Sequence, residues 1–231
     1  MLSLMLMLSF IDARGQAYDY PVKPGTSEWK RLKTTMEKVE VCQIPFSILN
    51  QIKTEELLEV CLGYPLLLDY TASNSPYLGI LAIVERFNGL KTFLNKSDAT
   101  DVLLSYYENY DVGRLNDLDE LSSQGWLTFE FTGIELLLSH PMIIKKMTSP
   151  EKRKLLSVVM ENYNRKIEYG YYFGFYGKMT TAFLGNKVME SIEGKGFSTS
   201  REEGNPFHDK MLLTDTETVD RIITQLQDYV N

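Results

Sequence analysis

The chain has 231 residues, 44% of them hydrophobic, enough for a sizeable core and too many for a disordered chain. A net charge of -7 and a pI near 5.0 offer no general attraction to phosphate backbones or anionic lipid, which disfavours nucleic-acid and polybasic membrane roles. Two histidines and two cysteines leave little material for a metal centre.

The first residues, "MLSLMLMLSFIDARGQA", read as the apolar core and small-residue end of a secretory signal, with cleavage expected after Ala17. The charged leading region is missing, a departure that a start assigned too far downstream would explain. The alternative is a buried N-terminal helix. Later segments lack an apolar run of 18 residues, so no transmembrane segment is expected in the mature chain.

In "YDYPVKPGTSEWK", Pro21, Pro24 and Gly25 keep the backbone extended until Thr26 or Ser27 caps a helix. Trp29, Leu32, Met36, Val39 and Cys42 then recur at helical spacing and predict one continuous stripe. Pro45 opens a short helix, and Thr54 is expected to cap a third, with Leu57, Leu58, Cys61 and Leu62 on one face. Further helices are predicted at 76 to 88, 89 to 96, 98 to 109, 130 to 139, 150 to 167, 178 to 192 and 216 to 230. Only the aromatic tract near 169 to 176 suggests extended chain, so the reading is all-α and multi-helix.

A constant offset of 76 positions aligns "EVCLGYPLLL" with "ELLLSHPMII" and "IVERFN" with "VMENYN", matching Glu59 to Glu135, Glu85 to Glu161 and Asn88 to Asn164. The organisation expected is a signal peptide at 1–17 and one α-helical domain at 18–231. Tandem units at 26–110 and 111–231, packed as in HEAT or armadillo superhelices, are the alternative within it.

The stretches "YDYPVKPGTSEWK", "VCQIPFSILNQIKTEELLEVCLGYPLL" and "FNGLKTFLNKSDA" resemble an uncharacterised family of exported proteins of Bacteroidota. The resemblance covers residues 18 to 110, with a weaker echo in "YGKMTTAFLGNKVM". It implies export and a helical fold. No established activity comes with it, so it transfers no catalytic residue.

Catalytic signatures are scarce. His140 and His208 stand far apart in no zinc spacing, and the acidic run around Asp117, Asp119 and Glu120 lacks the glycine and distal glutamate of a calcium loop. No nucleophile elbow, Walker spacing or C-x-x-C motif occurs, so no cofactor or metal is implied and no catalytic residue is assigned. Cys42 and Cys61 read first as buried thiols and second as a disulfide that export would permit. "KKMTSPEKRK" sets cations around a helix start, where they oppose the helix dipole; a solvated surface is the first reading and an anion or partner contact the second.

The most distinctive tract is "IEYGYYFGFYGKMTTAF". Its Tyr171, Tyr172, Phe175 and Tyr176 are the candidate binding residues, since aromatic rings with polar edges suit sugar or peptide recognition; packing between helices is the competing use. The function expected is therefore an exported, noncatalytic α-helical protein that binds another protein or an extracellular polymer. The alternative is a hydrolase using paired carboxylates on a cell-envelope or extracellular polymer.

Overall fold

Several helix starts in this chain are set by side-chain acceptors that satisfy the first free amide groups. The computed structural model describes residues 18–193, 207, 210–212 and 215–230. Thr26 accepts from the amide of Trp29 and starts α1 (Ser27–Arg31). The stripe predicted to run on to Cys42 is then interrupted at Thr34, whose hydroxyl accepts from Glu37 N while the Glu37 carboxylate accepts from Thr34 N. This capping box starts a second helix, α2 (Thr35–Val41), and turns Met36 out to solvent at 65% exposure.

Short helices follow: α3 (Phe46–Leu49), introduced by Pro45, and α4 (Thr54–Leu62). Thr54 does not cap α4; it is the first helical residue, buried, and its hydroxyl donates to Asp98 at 2.7 Å. A 3-10 segment (Leu67–Ala72) leads to α5 (Pro76–Arg86), capped by Ser75, and then to α6 (Asn88–Asn95) and α7 (Ala99–Glu108). After a second 3-10 segment (Val112–Asp117) come α8 (Leu121–Leu138), α9 (Pro141–Lys146), α10 (Ser149–Glu168), α11 (Gly170–Glu193) and α12 (Thr216–Val230). No strand occurs among the described residues, so the fold is all-α.

The central element is α8. Its residues from Phe131 to Leu138 are all buried, the mark of a helix enclosed on every side, and it packs against α5, α7 and α11. Helix α8 begins nine residues earlier than the sequence suggests, because the serines and Gly125 of "LSSQGW" hide its first turns. Tyr70 ties the first 3-10 segment to it, donating to Phe129 O at 2.6 Å. Helix α10 packs on α11, and α12 packs against both with Val219, Ile222, Ile223 and Leu226 buried. At Gly185, a Cβ would stand 2.3 Å from the Leu226 methyl, so a side-chain-free position brings α11 against α12.

The segments aligned by the offset of 76 share their helix-end geometry. Tyr64 N donates to Cys61 O at 3.2 Å, and His140 N donates to Leu137 O at 3.0 Å. Beyond the prolines they differ. Helix α5 stops before Phe87, and Asn88 clasps the backbone of Ile44 through Oδ1 and Nδ2, whereas Asn164 is an exposed residue within the longer α10.

Candidate functional site

The aromatic tract is helical. Tyr169 closes α10, one helical turn runs from Gly170, and the chain breaks at Gly174 with φ 53° and ψ -158° before α11 continues. The extended reading fails because Tyr172 N and Phe173 N both donate to Tyr169 O, which winds the tract into a turn. This break sorts the rings. Phe173 turns inward at 5% exposure and packs edge-on against Phe131, while Tyr171 is 89% exposed and Phe175 38%. Tyr172 and Tyr176 are half-buried.

Tyr176 links this tract to α8, its ring centroid lying 6.1 Å from that of Phe129. Three residues before Phe129, Trp126 is also on the surface. Its indole donates to Glu130 Oε2 at 3.3 Å, and Tyr110 donates to Glu130 Oε1 at 3.1 Å. Burial raises the Glu130 carboxyl above its usual range, against the opposing pull of those hydrogen bonds and of the Arg114 guanidinium. Sequence reading missed Trp126, Phe129 and Glu130, although their spacing of three and four residues was a helical signal.

Behind this face lies a sealed ionic network. Lys166 Nζ sits 2.6 Å from Glu135 Oε2, and neither side chain has exposed surface. Glu135 also accepts from the hydroxyls of Thr180 at 2.5 Å, Thr181 at 2.8 Å and Tyr107 at 3.0 Å. The ammonium further donates to Gly177 O at 2.9 Å and lies 4.8 Å from the Phe131 ring centre. Burial lowers the Lys166 pKa, opposed by Glu135, and burial beside the Glu135 carboxylate raises that of Tyr107. With its charges internally satisfied, this network reads as a structural clamp joining α7, α8, α10 and α11.

The other sequence candidates scatter. Cys42 and Cys61 are both buried free thiols; burial pushes Cys42 up to about 11 and Cys61 well above its ordinary value, leaving little thiolate near neutrality. His140 caps α9 by accepting from Met142 N at 3.2 Å, and His208 lies outside the described residues. Glu85 and Glu161 are exposed surface residues. Part of the basic run is engaged within the protein, through Lys146, Lys152 and Lys154. Lys146 donates to Leu94 O at 2.8 Å and Lys96 O at 2.7 Å, closing the end of α6, while Lys154 pairs with Glu108 at 2.7 Å. The predicted signal peptide also lies outside the described residues, and no helix among them is long and apolar enough to cross a membrane.

No family model and no solved structure match the chain. It is similar to a protein of Mycoplasmopsis agalactiae (strain NCTC 10123 / CIP 59.7 / PG2) named pseudouridine-5'-phosphate glycosidase, at 27% identity over 164 residues. That similarity covers 68% of this chain and 49% of that protein, so the chain spans about half the length of the curated relative it matches.

Proposed function

We propose that the chain is an exported, noncatalytic α-helical protein that binds another protein or an extracellular polymer through the aromatic face of α8 and α11. One observation carries this reading: Tyr171 and Phe175 are exposed to solvent although Phe173 between them is buried. Rings with hydroxyl edges combine large contact area with few rotatable bonds, which suits recognition. Export rests on the apolar segment before Ala17 and on the family resemblance. Replacing Tyr171, Tyr172 and Phe175 together by alanine should abolish affinity capture of the partner from the medium or cell envelope, with the helical circular dichroism unchanged. Unchanged capture, or unfolding of the variant, would sink the proposal.

A second reading, a carboxylate hydrolase, draws on the name of the similar M. agalactiae protein. Its carboxylate candidate is Glu130, held near the surface with a raised pKa. It requires turnover of pseudouridine 5'-phosphate by the chain, lost in Glu130→Gln. Failure to consume that compound would remove this alternative.

A further inference from the structure

Between α2, the first 3-10 segment and α5 lies an open cleft of about 250 Å³. Leu66, Gly79 and Ala82 give it an apolar lining of small and medium residues. Gly79 is needed there because a Cβ would stand 2.7 Å from Tyr70 O, so the close approach of α5 to the 3-10 segment forms this wall.

Tyr64 also lines the cleft, with its ring stacked on Phe87 at 4.0 Å between centroids. It is only 1% exposed, yet its hydroxyl makes no hydrogen bond among the described residues. The comparison with similarly buried tyrosines is direct: Tyr20 donates to Val60 O at 3.0 Å, Tyr70 to Phe129 O at 2.6 Å and Tyr107 to Glu135 at 3.0 Å. That hydroxyl is not among the sealed polar atoms without a partner in the described residues, so it reaches the open cleft and is available to whatever fills it.

Two opposite charges border the same space. Asp69 and Arg86 both line the cleft and both act on the Tyr64 hydroxyl, yet they form no ion pair with each other among the described residues. Lys38 lies within electrostatic reach of Asp69, but its ammonium is placed over the Trp29 ring, 5.3 Å from the centroid. A simple anion would meet Asp69, and a simple cation would meet Arg86. A ligand carrying both charges satisfies both. The volume is below the roughly 300–1,000 Å³ typical of sites for drug-sized molecules, which restricts the occupant to something smaller.

We infer that this cleft binds a free aliphatic α-amino acid, with its ammonium at Asp69, its carboxylate at Arg86 and Tyr64 donating a hydrogen bond to that carboxylate. The aliphatic side chain then covers Leu66 and Ala82. This site is separate from the aromatic face and does not depend on it.

The test titrates L-leucine into the isotope-labelled full chain and follows amide resonances. Saturable shifts centred on Tyr64, Gly79 and Ala82 are expected, with Asp69→Asn and Arg86→Gln each weakening binding by about tenfold or more. N-acetyl-L-leucine, which lacks the ammonium, and L-leucinamide, which lacks the carboxylate, should fail to compete. Tyr64→Phe should weaken binding without lowering the unfolding midpoint, because the hydroxyl has no protein partner to lose. Absence of saturable shifts up to about 10 mM ligand overturns the inference. So does equal binding of the two blocked compounds, or affinity unchanged by both charge substitutions.

Discussion

A lysine with no exposed surface must find all its partners inside the protein, and Lys166 finds them on α8 and α11. Removing one member of such a pair strands the other charge, so Lys166→Met should cost about 3–5 kcal/mol in urea unfolding. Adding Glu135→Gln to that variant should recover part of the loss, since a neutral amide needs less compensation. If the single and double variants are equally unstable, the clamp owes its strength to packing and not to charge. Glu135 precedes the run Leu136, Leu137 and Leu138, a local sign of burial, yet the sequence reading used it only to align with Glu59. Lys166, in "YNRKIEYG", has charged neighbours and gave no such sign.

At the scale of elements, caps and breaks decide where helices begin and turn. Gly174 has a positive φ with extended ψ, a combination that L side chains rarely adopt, and no neighbouring atom would obstruct a Cβ. Gly174→Ala should therefore destabilise by about 1–3 kcal/mol through backbone strain alone. A measured cost below about 0.5 kcal/mol would show that the turn relaxes freely. The start of α9 carries a pH dependence. Burial lowers the pKa of His140 below 6.5, with Glu85 pulling the other way, so the unfolded chain takes up this proton first as pH falls. The contribution is fully present above 6.5 and is lost as pH drops toward the lowered native value. Urea midpoints should fall between about pH 7.5 and 5, and His140→Asn, which keeps a cap acceptor, should flatten that slope. An identical slope in the variant would assign the acid sensitivity to other groups.

For the whole molecule, one contiguous core runs from Tyr20 through the centre of α8 to Leu226. Such continuity predicts a single cooperative transition, with far-ultraviolet circular dichroism and tryptophan fluorescence coinciding. The fluorescence reports both regions of the chain, since Trp29 lies on α1 and Trp126 on α8. Separate midpoints would divide the core into independently unfolding units.

The helical class and most helix positions were readable because apolar periodicity and capping are local properties: α12 coincides with its predicted span of 216 to 230. Local rules also explain the errors, as at Thr34, where a capping box overrides a continuous stripe. The pairing of Lys166 with Glu135 across 31 positions, and the meeting of Tyr64, Asp69 and Arg86 at one cleft, follow no spacing rule. They arise where helices cross, and tertiary packing alone decides which side chains are sealed in and which are left facing open space.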